Sequence, residues 1–237
     1  MKIFLIRHAK SDKSLQDTLS HDEFEQKRAL IEGEAEKAVQ LGKSLQKSAG
    51  EVSGYDFVWS GKNRSRQTVL AVAQGFVESQ EKALFYLRED FSLTYLADKN
   101  YWHECEEAVK NKQFPSHSDF FLQNNPTEYF SKNSIQNPGQ TFSAEYMQQN
   151  MRSALRRAIE RNIFLQNNIV LMVSHEPVIS LCMNDLTGLP VENLGGSALE
   201  LEYAQFDVTR KENSLIPQVN LSYRQAIYDV SEKIFPN

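Results

Sequence analysis

The chain has 237 residues, 41% of them apolar and 24% charged, which suits one folded α/β domain with a full core and is too short for two large ones. A formal net charge of -5 lacks the basic excess expected of nucleic-acid or membrane-surface binding, so neither partner is expected and any anion site must be locally basic. Cys105 and Cys182 lie far apart in unlike contexts, the stretch before Arg7 is too short for a signal-peptide core, and charges interrupt every apolar run; a soluble, reduced, cytoplasmic protein is expected.

Ile3 to Ile6 is a continuous apolar run of the kind found in strands buried on both faces, and it stops at Arg7-His8. Ser11 to Glu25 is polar and aperiodic, which predicts a mobile loop over the sheet edge. Leu30 to Gln46 has helical spacing, with Leu30, Ala38, Leu41 and Leu45 on one face. A second strand, Tyr55 to Trp59, ends at Ser60, and Arg64 opens a helix that runs to Phe76. Lys82 to Leu87 predicts a third strand, followed by Arg88-Glu89.

From Asp90 to about Gln140 the strand–helix alternation breaks down, in a segment too aromatic for a disordered linker. It reads as a small cap over the site, whose aromatic residues either line a pocket or form a core. Apolar residues four apart from Met147 to Ile163 then predict a long helix over Ser143 to Gln166. A fourth strand, Ile169 to Val173, ends at Ser174-His175, and Pro177 suits the first turn of a helix reaching Leu186. Alternation at Leu199, Leu201 and Tyr203, and at Val219, Leu221 and Tyr223, predicts two half-exposed edge strands.

Four strand tips thus carry polar groups to one sheet edge, where open α/β sheets bind ligands. In chain order, Arg7-His8-Ala9, Ser60 to Thr68, Leu87-Arg88-Glu89 and Ser174-His175-Glu176 resemble the four motifs of the histidine phosphatase superfamily, the phosphoglycerate mutase-like proteins of its first branch. Pro138-Gly139-Gln140-Thr141 is similar to that family's lead-in to a long helix, so the resemblance covers nearly the whole chain. It implies a three-layer αβα sandwich around a mostly parallel sheet, with a small cap insertion at about 90 to 140. It also implies a phosphatase acting on phosphomonoesters through a phosphohistidine on His8.

In that reading Arg7, Arg64 and His175 bind phosphate, since guanidinium forks match phosphate oxygens in pairs. The surrounding positive groups keep His8 neutral and nucleophilic. Glu89 is the proton donor, with Asp90 as the fallback, and His175 completes the catalytic set. No cofactor or metal is expected, because the residues of His103-Glu104-Cys105-Glu106-Glu107 would point in different directions on a helix. Ser60 is equally read as a helix cap.

Lys13 and Ser14 stand where a mutase carries Trp and Asn, and Ala9 replaces Gly, which counts against mutase transfer; Gly61 replaces the family's usual proline after Ser60, a departure that bears on Glu89 and the substrate pocket. The cap favours a small phosphorylated substrate over a phosphohistidine protein. A phosphoglycerate mutase-type transferase and a non-catalytic phosphate-binding module are the rivals. Oligomeric state is not legible.

Overall fold

The computed structural model describes residues 1–16, 18–50, 52–77, 84–93, 99–123, 144–210, 214 and 216–236. Seven strands form one sheet: β1 (Lys2–Arg7), β2 (Gly54–Trp59), β3 (Leu84–Glu89), β4 (Ile169–Ser174), β5 (Tyr203–Thr209), β6 (Gln218–Tyr223) and β7 (Ala226–Asp229), in the order β3-β2-β4-β1-β5-β6-β7. The first four are mutually parallel, and the last three are added antiparallel to β1 and to one another. The parallel strands therefore all deliver their carboxyl ends to one edge.

Period-two alternation splits the central strands between two cores. Ile3 and Leu5 of β1, with Val58, Val170 and Met172, face one apolar cluster, whereas Phe4 and Ile6, with Tyr55, Phe57, Leu171 and Val173, face the other. The second cluster is covered by α2 (Glu34–Ala49) and α3 (Asn63–Val77) through Ala38, Leu45, Val69, Val72 and Phe76. These helices touch backbone to backbone at two glycines: a Cβ on Gly42 would lie 2.1 Å from the Val72 carbonyl oxygen, and one on Gly75 1.9 Å from that of Val39.

The first cluster is covered by α6 (Ala144–Leu165), α7 (Glu176–Thr187) and the short α8 (Ser231–Ile234). The expected long helix is α6; its Met147, Met151, Leu155 and Ile159 are buried, while Ile163 is exposed near its end. Helices on both faces of the sheet make the expected αβα sandwich.

Three expectations need correction. Ser11 to Glu25 is not an unstructured loop: it runs into α1 (His21–Lys27), capped by a Ser20/Glu23 box, and a Ser11–Leu30 bridge closes the segment. Leu199 and Leu201 precede β5 rather than belonging to it, because the chain turns at Leu201 (φ 59°), whose N–H donates to the Arg7 carbonyl. The edge pair gains a third strand, β7, through a turn at Arg224-Gln225 in which both residues have positive φ, a hairpin without the usual Asn or Gly signal.

Of the expected cap, residues 99–110 and 117–123 form α4 (Lys99–Lys110) and α5 (His117–Gln123). Leu93, Cys105, Ala108, Phe120 and Phe121 join the first cluster, so these aromatic residues pack into the core. Residues 94–98 and 124–140 of the segment, with Pro138 to Gln140, lie outside the described residues.

Candidate active site

A cavity of about 520 Å³ opens at the carboxyl edge of the parallel strands, lined among others by Arg7, His8, Arg28, Arg64, His117, His175 and Glu176. Two strand ends reach its wall and a third supports them from behind. His8 follows β1 and is held by its N–H to the Ser174 carbonyl, His175 follows β4 as the residue before α7, and Ser60 follows β2. The rings of His8 and His175 meet edge to face at 5.0 Å between centroids. α3 brings Arg64 in its first turn, and two neighbours tie that turn to the end of β1 and to the segment that precedes α2. Thr68 Oγ1 accepts from the Ala9 N–H and donates to the Arg64 carbonyl, while Gln67 Oε1 accepts from the Leu30 N–H.

The hydrogen bonds fix both tautomers. His8 Nδ1 lies 2.7 Å from the Ala9 carbonyl oxygen and so carries the ring proton; Nε2 keeps its lone pair and accepts from Arg64 Nε at 3.2 Å. His175 Nε2 lies 2.6 Å from Ser60 Oγ, which donates to Ser65 Oγ, which donates to the Lys62 carbonyl. The Ser60 proton being committed onward, His175 must donate to Ser60 from Nε2. Burial above all, then the Arg64 guanidinium, holds His8 well below the ordinary histidine value, with Arg7 and Arg28 adding to this against the Ala9 hydrogen bond. Burial and Arg64, then His8, lower His175 in the same way. Both imidazoles are neutral at pH 7.

Positive charge around the histidines is fixed in place. Arg7 donates to the Ala198 carbonyl and to Glu200, leaving its buried Nε without a hydrogen-bond partner among the described residues. Arg64 is 1% exposed, and its terminal nitrogen donates to Glu25 at 2.8 Å. Arg28 and Lys62 also pair with Glu25, at 3.3 and 3.2 Å. Burial pushes the Glu25 carboxyl up, but Arg64, Lys62 and Arg28 outweigh it and hold the group at about 2. A carboxylate behind three cations thus aims them without occupying the cavity.

No protein-family model matches this chain, and no curated protein sequence does. Solved structures do. A mycobacterial glucosyl-3-phosphoglycerate phosphatase in complex with inorganic phosphate is similar over 95% of this chain and 97% of its own, at 15% identity and TM-score 0.54. Mycobacterial hydrolase 1 matches over 96% and 99% at 15% identity and TM-score 0.59, and phosphoglycerate mutase from Bacillus anthracis over 98% and 92% at 14% and 0.55. The chain has a phosphoglycerate mutase-like fold. The fold expected from the four motifs is therefore the one observed.

Within this phosphoglycerate mutase-like fold, four of the five residues read from the sequence, Arg7, His8, Arg64 and His175, line one cavity. Glu89 does not. It ends β3, three strand spacings from β1, or roughly 14 Å. Its carboxyl borders a separate depression with Trp59, Gly61, Lys62, Asn63 and Arg66. Asp90 is no substitute, because its carboxylate pairs with Arg88 and Arg157 and accepts from the Ser92 N–H. Ser60, read equally as a cap, is the partner of His175.

Four residues of the site were not read from the sequence: Glu25 at the end of the expected loop, Arg28 just beyond it, His117 on α5, and Glu176, quoted in a motif but given no role. A capping-box pattern, Ser20 to Glu23, was the available signal for the helix carrying Glu25. His117 had none, since a lone histidine between serines is unmarked until α5 is placed. His103 is exposed and Cys105 buried on α4, as expected of helix neighbours, and among the described residues no group of three or more His, Cys, Asp or Glu is placed to hold a metal ion.

Proposed function

We propose that this protein is a phosphatase hydrolysing small phosphomonoesters through a covalent phosphohistidine on His8. The observation that carries the reading is the state of His8: a neutral ring, its proton tied to the Ala9 carbonyl, its Nε2 lone pair directed to where Arg64 and His175 converge. A phosphoryl group brought there would meet Arg7 Nε and Arg64, fixed donors suited to the charge on its equatorial oxygens, and His175 would join them by taking up a proton on Nδ1 as the phosphate dianion enters. Arg64 Nε, which holds Nε2 in the resting site, would move its hydrogen bond to a phosphate oxygen as phosphorus comes in line with Nε2. Water would then attack the phosphohistidine, releasing phosphate and restoring the ring.

The guanidinium groups supply the charge stabilisation that a metal would otherwise bring, so turnover is expected in the presence of a chelator. A cavity of about 520 Å³ suits a small molecule, and the similarity to a phosphatase of a small phosphorylated glycoside supports the same substrate class. Both cysteines are buried and unpaired, which supports a reduced, cytoplasmic setting. Glu89 is not given the proton transfer, because its carboxyl faces the neighbouring depression.

The test is hydrolysis of a panel of phosphomonoesters, including sugar phosphates and a phosphohistidine peptide, by wild type and His8→Ala with chelator present. Turnover abolished by the substitution supports the reading. Turnover only with a bisphosphate primer would make it a mutase, and a folded wild type inactive on the whole panel would leave a phosphate-binding module.

A further inference from the structure

Breaking an ordinary phosphomonoester requires a proton for the departing oxygen, and the carboxylates expected in that role from the sequence, Glu89 and Asp90, do not line the cavity. The carboxyls that do line it are Asp12, Glu106, Glu176 and Glu200. Glu200 is paired with Arg7 at 3.1 Å, and Glu106 accepts from Gln16. Asp12 accepts from the backbone and hydroxyl of Ser14, which hold it below its ordinary value. For Glu176 burial pushes upward, but His117 and the hydroxyls of Ser118 and Ser197 overcome it, so this group too is ionised.

A third histidine also lines the cavity. His117 stands at the start of α5, its side chain 30% exposed, with Nδ1 3.5 Å from Glu176 Oε2. Glu176 is 7% exposed and anchored from behind: Oε1 accepts from Ser118 Oγ at 2.9 Å and Ser180 Oγ at 3.3 Å, while among the described residues Oε2 makes no hydrogen bond shorter than its approach to His117. A buried, anchored carboxylate behind an imidazole that reaches a cavity is the arrangement by which proteins orient a histidine for proton transfer. Three of the chain's five histidines then meet at one cavity: His8 for phosphorus, His175 for its oxygens, and His117 on the side formed by the inserted helices. A cavity of about 520 Å³ is roughly 10 Å across, which a phosphomonoester spans from His8 to the leaving alcohol.

We propose that His117, positioned by Glu176, is the proton donor to the leaving oxygen; the inference rests on the phosphatase reading and gives the inserted helices a chemical role. As the His8 Nε2–P bond forms and the P–O bond breaks, the imidazolium of His117 gives its proton to the departing alkoxide and becomes neutral. In the second step it takes a proton from the attacking water as the N–P bond breaks, and phosphate leaves. Protons balance over the two steps. His117 is then a catalytic residue and Glu176 a positioning residue.

The experiment compares kcat/KM of wild type, His117→Ala and Glu176→Gln on two substrates with unequal need of a proton: nitrophenyl phosphate, whose phenolate leaves unaided, and an alkyl phosphate, whose alkoxide does not. Gln at 176 keeps the acceptor that Ser118 and Ser180 use and removes only the charge behind His117, so circular dichroism should show both variants folded. His117→Ala is expected to lose about 100-fold or more on the alkyl phosphate and less than about 10-fold on the aryl phosphate. Glu176→Gln should show the same inequality with a smaller loss. An equal loss on both substrates would make His117 a binding residue and overturn the proposal, as would no loss on either. If wild type turns over neither substrate, the phosphatase reading falls and this inference with it.

Discussion

Replacing Glu25 with Gln removes one carboxylate from behind three cations and leaves Arg64, 1% exposed, without its 2.8 Å partner. The carboxyl is held at about 2 against an ordinary 4.5, and each unit of such a shift corresponds to about 1.4 kcal/mol, so the ionised group contributes on the order of 3 kcal/mol at neutral pH. Because the folded-state value is depressed, that stabilisation is complete above 4.5 and is lost as pH falls toward 2. Integrating the linkage, about 1.4 kcal/mol of it is gone by pH 3.5. Urea unfolding of both proteins at pH 7 and pH 3.5 reads this directly: the advantage of wild type over Glu25→Gln is expected to shrink by about that amount between the two. A difference independent of pH would refute the reasoning, showing that Glu25 acts through packing and not through charge. At neutral pH the variant should also raise KM for phosphomonoesters, as Arg64 loses its anchor.

Further outcomes follow from the same geometry. His8 must be neutral to attack and its folded value is depressed, so the acid limb of kcat/KM should fall only well below pH 6.5; a limb at or above 6.5 would contradict the neutral state assigned to His8. Since unfolded histidines take up protons near 6.5 while His8 and His175 stay neutral in the fold, stability should decline as pH drops below 6.5, and added phosphate should oppose the decline. Glu89→Gln should keep kcat/KM within about threefold of wild type, against the roughly 100-fold loss expected of a proton donor. Gly75→Ala drives a Cβ to 1.9 Å from the Val39 carbonyl oxygen and should cost more than about 2 kcal/mol in urea unfolding, without changing the pH profile of turnover.

What could be read from the sequence was what strand and helix periodicity record. The apolar runs at Ile3, Tyr55 and Ile169 are buried on both faces because β1, β2 and β4 lie inside the parallel sheet, and the residues just past them had to surface at one edge. That logic placed His8 and His175 together, and the first turn of α3 added Arg64. It failed at β3, where an identical pattern ends on the outermost strand: sequence shows that a strand stops at Glu89 and not how far that strand lies from β1.

Glu25 and His117 failed for another reason. Each acts from a segment whose position depends on tertiary contacts, a Ser11–Leu30 bridge for α1 and the packing of Phe120 and Phe121 against the core for α5. The capping box marks α1 but not the pairing of Glu25, and nothing local marks His117. β7 was hidden by its turn, which forces positive φ on Arg224 and Gln225; Arg224 is held there by Glu202 and by the carbonyls of Leu194, Gly196 and Ser197.

The central claim is that His8 Nε2 becomes covalently phosphorylated. Wild type mixed with a phosphomonoester, quenched in alkali within a turnover and digested for mass spectrometry should carry one phosphoryl group on the peptide bearing His8. That mark should be stable to base and lost in acid, as a phosphoramidate is, and it should be absent from His8→Ala. Turnover with no phosphoryl group on His8 at any quench time, under conditions where phosphohistidine standards survive, would contradict the account.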